Sequence, residues 1–348
     1  MRRHYAVAAE IGKVVIEDGE IGEPGEGQLL LEAEYSTLSP GTEYSLLGGH
    51  IMPLPQGIGY SMAARVKAVG PGVTDYKEGD AVVTTGQHAS YLVMDQQGVT
   101  PVPEGVSLEQ AAFFNLAHTG LYAIRRTKIQ LGEPVVVMGQ GLVGGITTQL
   151  AKLAGACPLI VTDIDDSRLA ISRTMGVDYA INVAVNPEQL IELVAALGWG
   201  GVPVVFEATG LLQPLEQAFE LVSERGRVMM MSPPHSDKVP NYARNLMTKG
   251  ATLIGGYINS KPFSLQRYDI GFGGSWPPGV NKQPTRYVNS DLWTSDEDIR
   301  VIFDLLRYRR LDLEPLISHR FNWQQLPEAY ELVWSRDPSL IGGVISWK

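Results

Sequence analysis

The chain has 348 residues, with 28 basic against 38 acidic side chains and a formal net charge of -10 at pH 7. That length exceeds what one ordinary core serves, so two domains are expected, and the acidic balance disfavours nucleic acid and anionic membranes as partners. Cys157 is the only cysteine, which excludes an internal disulfide and a thiolate-rich metal site.

The first third reads as short strands punctuated by glycine and proline. Tyr5 to Val15 includes Glu10 and Lys13 and offers no secretory core. No apolar run reaches the roughly 18 to 20 residues of a bilayer span, so the expectation is a cytoplasmic protein with no membrane partner. "GQLLLEAEYSTLSPGTE" is an apolar run halted at Pro40-Gly41. "SMAARVKAVGPGVTDYKEGDAVVTTG" is a strand, a turn, a charged loop and another strand. In "SLEQAAFFNLAHTGLYAIRR" the apolar spacing becomes helical, and Ser107 with Gln110 forms a capping box at its start.

From about Glu133 strands and helices alternate: "PVVVMG", "GLVGGITTQLAKLAG", "PLIVTDID", "DSRLAISRTMG", and so on to "GATLIGGYI". Apolar strands alternating with amphipathic helices predict an α/β fold, a doubly wound parallel sheet covered on both faces. Residues 260–295 break the rhythm with Gly, Pro and aromatics, including Phe263, Tyr268, Phe272, Trp276, Tyr287 and Trp293. Such a long excursion is functional or disordered, and its aromatic content argues against disorder. "SDEDIRVIFDLLRYRR" then reads as a helix with an acidic first turn and a basic last turn.

Gly139, Gly141 and Gly144 form G-x-G-x-x-G directly after a strand and open a helix. The first glycine permits a tight turn, the second admits a pyrophosphate to the backbone, and the third lets helix and strand pack closely. The phosphates would meet the positive helix end, at Leu142 and Val143. Asp163 ends the next strand, 19 residues beyond Gly144. At that place a carboxylate accepts from the adenosine ribose hydroxyls and repels a 2′-phosphate, so the expected cofactor is NAD.

With these motifs, "AVGPGVTDYKEGDAVV", "FEATG", "GRVMMMSPP", "KGATLIGG" and "LISHRFNWQQLPEAYEL", the chain resembles the medium-chain dehydrogenase/reductase superfamily, the zinc-type alcohol and polyol dehydrogenases and their zinc-free relatives. The resemblance implies a mostly-β, GroES-like, partly open barrel split between 1–116 and 259–348, around a Rossmann NAD-binding domain at 117–258. It implies that Arg168 stands beside the adenosine ribose, that Ala208 and Thr209 cover the adenine, and that Met230, Ser232, Ile254 and Thr119 line the nicotinamide. A basic residue that the family keeps near the pyrophosphate is replaced by Gly342-Gly343. A homodimer or homotetramer is expected, through edge pairing of "GATLIGGYI".

Where the family holds catalytic zinc, this chain has Ser39, Tyr60-Ser61 and Asn115. Zinc takes thiolate, imidazole or carboxylate, so these are poor ligands and a metal-free enzyme is expected. A side chain must then receive the alcohol proton. The candidates are Glu43 and Thr42 in "SPGTE", Tyr60, His118 and the orienting Asn115. Glu43 is equally open to a structural role in its loop, Tyr60 to simple packing. The "SPGTE" turn is also similar to dehydrogenases of sugars and glycosides, which implies a small polyhydroxylated substrate. Two alternatives stand beside an alcohol dehydrogenase: a zinc-free quinone or enone reductase, and a non-catalytic NAD-binding sensor or scaffold.

Overall fold

The computed structural model describes residues 1–233, 238, 243–258 and 293–348. The aromatic excursion therefore lies outside the described residues, except for residues 293–295, which include the exposed Trp293. The chain divides into two compact units, Met1–Asn115 with Asn259–Lys348, and Leu116–Ile258.

The first unit opens with strands β1 (Arg2–Glu10), β2 (Lys13–Glu20) and β3 (Gln28–Leu38). Helix α1 (Pro40–Leu47) follows, then β4 (Gln56–Gly57), β5 (Met62–Val69), β6 (Ala81–Thr84), β7 (Tyr91–Asp95), β8 (Val99–Pro101) and the short α2 (Leu108–Ala111). Pro40 ends the strand run as expected, but it opens a helix. At the first helical position its missing N–H leaves nothing unsatisfied.

Helix α3 (Phe114–Thr127) leads into the second unit. There follow β9 (Val135–Met138), α4 (Leu142–Leu153), β10 (Leu159–Asp163), α5 (Asp166–Thr174), β11 (Tyr179–Asn182) and α6 (Pro187–Ala196). β12 (Val202–Glu207), α7 (Leu212–Leu221), β13 (Val222–Met230), α8 (Ala243–Lys249) and β14 (Thr252–Gly255) complete it. The first unit resumes with α9 (Ser295–Arg307), β15 (His319–Asn322), α10 (Leu326–Trp334) and β16 (Gly343–Ser346).

In the second unit six strands run in the order β11-β10-β9-β12-β13-β14, and every neighbouring pair is parallel. Residues of β9, β10 and β12 are buried throughout, as strands covered on both faces require. The strand order reverses at β9, and ligands of such sheets bind outside the carboxyl ends of the strands at that point. β14 lies at the sheet edge.

In the first unit the main sheet follows β15-β16-β3-β5-β6-β8, with β7 also pairing β3. β15 and β16 are parallel and the other pairs antiparallel. The path does not close, giving a mixed, unclosed barrel-like sheet. A three-stranded sheet, β2-β1-β4, stands beside it in the same unit. Its core joins both chain portions, since Leu29, Leu31, Ile58 and Met62 share one apolar cluster with Leu326, Tyr330 and Ile345.

The helical spacing from Ser107 to Arg126 resolves into two helices. Ser107 accepts from the Gln110 amide at 3.2 Å, and the Phe113 amide then turns back to the Gln110 carbonyl at 3.1 Å. That tighter turn separates α2 from α3. No helix among the described residues is long and apolar enough to cross a membrane.

Candidate active site

The cofactor candidates of the second unit gather at the carboxyl ends of its strands. Gly139 follows β9 with φ +88°, and a Cβ there would lie 2.8 Å from Thr209 Cγ2. Gly144 packs so closely that a Cβ would stand 1.9 Å from the Gly139 carbonyl oxygen. Gly141 differs: its backbone is extended, and the nearest atom to an added Cβ is Arg168 Nη1 at 3.9 Å. Helix α4 starts there with no side-chain cap, so the first amides, those of Leu142 and Val143, are left to a ligand or solvent. An open glycine before an uncapped helix end fits a dinucleotide diphosphate.

Asp163, at the end of β10, has a second duty. Its Oδ2 accepts from the Gln140 amide at 2.6 Å, and its Oδ1 accepts from the Ile164 and Asp165 amides at 2.8 and 3.0 Å. Three of about four acceptor positions are used, so the remaining capacity for a ribose hydroxyl lies on Oδ2. Capping of α5 falls to Asp165, which accepts from the Ser167 and Arg168 amides. Arg168 sits half-buried on that first turn.

Ala208 and Thr209 follow β12, Met230 ends β13, and Ile254 lies in register beside Met229 on β14. Ser232 reaches toward Gly210, where a Cβ would stand 2.9 Å from Ser232 Oγ. Glu207, inside the FEATG motif but not among the expected site residues, is fully buried at the end of β12. Its Oε1 accepts from the Thr209 amide at 2.7 Å and from the Thr209 hydroxyl, and burial raises its carboxyl above the usual range. Gln140 was also missed, because it occupies a variable position of the glycine motif. Its Oε1 accepts from Thr148 and Ser172, and its Nε2 donates to the Val137 and Gly139 carbonyls, so it rivets the loop to α4, α5 and β9.

His118 and Thr119 lie on α3 within the second unit, His118 buried and Thr119 half-buried. Gly120 beside them lets α3 pack on α4, with Ile146 Cγ2 at 3.0 Å from an added Cβ.

The other catalytic candidates gather in the first unit. Ser39 precedes α1, which carries Thr42 and the fully buried Glu43. Tyr60 stands before β5, and its hydroxyl is hydrogen-bonded with Ser39 and Thr42. Burial, then the neighbouring Glu43, raises the Tyr60 phenol above its usual range, so it keeps its proton. Asn115 Nδ2 donates to the Tyr60 carbonyl at 3.3 Å, an orienting contact. Ser61 Oγ donates to the Ala112 carbonyl at 2.6 Å. Burial pushes the Glu43 carboxyl up to about 8 against the lowering effect of Tyr330. That value suits a group that takes and returns protons near neutral pH.

Zinc does not fit this set. The positions carry two serines, a phenol that keeps its proton and an amide, and these donors are engaged with one another or with backbone. Among the described residues no group of three or more His, Cys, Asp or Glu is arranged to hold a metal ion.

The chain matches the family models "Alcohol dehydrogenase GroES-like domain" over residues 25–104 and "Zinc-binding dehydrogenase" over residues 143–267. The chain belongs to the medium-chain dehydrogenase/reductase superfamily. Among its described residues this member of the zinc-type alcohol dehydrogenase-like superfamily has no Cys/His cluster of the kind that holds catalytic zinc. The chain is similar to the sorbitol dehydrogenase of Bacillus subtilis, 28% identical over 56% of this chain and 64% of that one. It thus spans less than two thirds of that relative's length. Its fold matches an Escherichia coli alcohol dehydrogenase complexed with NADH, with TM-score 0.80 and 18% identity over 99% of both chains. A dehydrogenase of Sinorhizobium meliloti bound to NADP matches with TM-score 0.78 and 18% identity, again over 99% of each.

Proposed function

We propose that this protein is an NAD-dependent oxidoreductase that interconverts a secondary alcohol and a ketone on a sugar, glycoside or polyol without catalytic zinc. The observation that carries the reading is the hydroxyl cluster of Ser39, Thr42 and Tyr60, backed by a buried carboxyl, where the superfamily's metal ligands belong. The open Gly141 backbone and Asp163 support a dinucleotide in its unphosphorylated form. The similarity to a sorbitol dehydrogenase supports a polyol-like substrate.

NAD supplies the hydride acceptor when bound. The α4 amides and the Gln140-riveted loop hold its diphosphate, and Asp163 takes the adenosine ribose. Arg168, Ala208 and Thr209 enclose the adenosine half, while Met230, Ser232, Ile254 and Thr119 line the nicotinamide half. In the first unit, the Thr42 and Tyr60 hydroxyls meet the substrate oxygen, as oxyanion-type donors do. Glu43, close enough to Tyr60 for its charge to act on that phenol, takes the alcohol proton during oxidation and returns it during reduction. Asn115 orients the Tyr60 backbone, and His118 is a second relay candidate. The protein works as a cytoplasmic homodimer or homotetramer in this reading.

The test is NAD reduction over a panel of polyols, sugars and glycosides, with chelator-treated protein whose metal content has been measured. Turnover independent of zinc upholds the reading. Activity that appears only on adding zinc, or reduction of quinones and enones alone, overturns it.

A further inference from the structure

Glu43, His88, Tyr330, Ser36 and Trp347 form one buried chain of polar groups inside the first unit. Tyr330 Oη donates to Glu43 Oε2 at 2.7 Å. Glu43 Oε1 faces His88 Nε2 at 3.8 Å, and among the described residues neither atom has a hydrogen-bond partner although both residues are fully buried. On its other side His88 Nδ1 is 2.7 Å from Ser36 Oγ, which also accepts from Trp347 Nε1 at 2.8 Å. The Tyr330 ring meets the imidazole edge-on, with centroids 6.0 Å apart. Gly59, at φ +98°, leaves room for that imidazole, since a Cβ there would stand 2.6 Å from His88 Cγ.

The titratable groups facing the Glu43 carboxyl are Tyr330 from α10, His88 from the segment before β7 and Tyr60 from the segment before β5. No cation stands among them. Among the described residues a buried carboxylate there has only Tyr330 to stabilise it, and a bare imidazole nitrogen waits opposite its second oxygen. Two orphaned atoms so placed are matched by a single proton.

We propose that Tyr330 and His88 are positioning residues that set the protonation of Glu43. Tyr330 stabilises the ionised carboxylate through Oε2. His88, with its Nδ1 proton donated to Ser36, offers Nε2 to the Oε1 proton of the neutral acid, after a carboxyl movement of roughly 1 Å into hydrogen-bond range. The two residues therefore pull the same equilibrium in opposite directions. Burial raises the Glu43 carboxyl and lowers the His88 imidazole to about 3, so the imidazole stays neutral and free to accept. This proposal rests on the alcohol-oxidation reading only for the use to which the proton is put.

The experiment follows the carboxylic C=O stretch of Glu43 by infrared difference spectroscopy from pH 5 to 9, with Glu43→Gln as the blank that assigns the band. Tyr330→Phe removes a hydrogen bond to a charged group and is expected to raise the proton affinity of Glu43 roughly tenfold or more. His88→Leu removes the acceptor of the neutral form and is expected to lower that affinity. Residues that merely fill space would leave the midpoint unmoved. Unchanged midpoints, or shifts of the same sign in both variants, overturn the proposal. If Tyr330→Phe does not fold, a downward shift in His88→Leu upholds it and an unmoved midpoint refutes it. With an alcohol substrate in hand, kcat should follow the same displaced midpoints while KM stays nearly constant. Opposite infrared shifts in a protein that oxidises no alcohol would contradict the proposed function and uphold this one.

Discussion

Replacing Glu43 by Gln should make the protein more stable at alkaline pH while disabling it. Burial raises this carboxyl from an ordinary 4.5 to about 8. A carboxyl raised on folding contributes stability that is complete below pH 4.5 and is lost as pH climbs to about 8. At about 1.4 kcal/mol for each tenfold change in proton affinity, the loss totals on the order of 5 kcal/mol. His88 acts in the opposite sense, because burial lowers it from 6.5 to about 3. Its contribution is complete above pH 6.5 and is lost as pH falls toward 3. The two terms offset each other between 4.5 and 6.5, so the wild-type curve is flat there and declines on both sides. Gln is a neutral mimic of the protonated acid: its carbonyl still accepts from Tyr330 and its amide faces His88. The variant keeps only the His88 limb. Urea unfolding midpoints from pH 4 to 9 should show the two proteins parallel below pH 4.5 and diverging by several kcal/mol at pH 8, with Gln the more stable. Curves that stay parallel from pH 5 to 8 would refute the claim that folding holds Glu43 neutral.

Two glycine substitutions separate ligand space from packing space. Gly141→Ala meets no protein atom nearer than 3.9 Å and has an extended backbone, so its melting temperature should be nearly unchanged while its NADH affinity falls at least tenfold by calorimetric titration. Gly144→Ala sets a Cβ 1.9 Å from a backbone oxygen and should cost about 3 kcal/mol or more, seen as a large drop in melting temperature even without cofactor. Alcohol oxidation needs ionised Glu43, so its kcat should rise with pH toward a plateau above about 8. Ketone reduction needs the protonated form and should fall over the same interval, in initial-rate profiles run in both directions.

Local patterns and long-range ones differ in what can be read from the chain. The glycine loop, the strand before it, the helix after it and Asp163 fall within one βαβ unit, so their spacing is set by a repeat of strand, turn and helix. Apolar runs of β9, β10 and β12 likewise announced a sheet covered on both faces. Gln140 was hidden because the motif fixes only the glycines around it, and the buried hydroxyl and carbonyl partners come from three different elements. The network around Glu43 carried no spacing at all. Tyr330 lies 287 residues away in sequence, and Trp347 lies 311 from Ser36. Such pairs arise only when the two ends of the chain fold into one core. The sequence reading left Glu43 open between holding a loop and handling a proton. In the fold its carboxyl meets the Tyr330 hydroxyl and faces the His88 imidazole, both from segments distant in sequence.

Direct comparison of NADH and NADPH binding tests the central claim, a site built for the unphosphorylated dinucleotide. Asp163 has three backbone donors and no cation hydrogen-bonded to it among the described residues, so a 2′-phosphate would bring two further negative charges against a carboxylate. NADH should bind at least tenfold more tightly than NADPH in fluorescence titrations at neutral pH, and Asp163→Ser should narrow the gap. Equal affinity, or tighter binding of NADPH by the wild type, would contradict it.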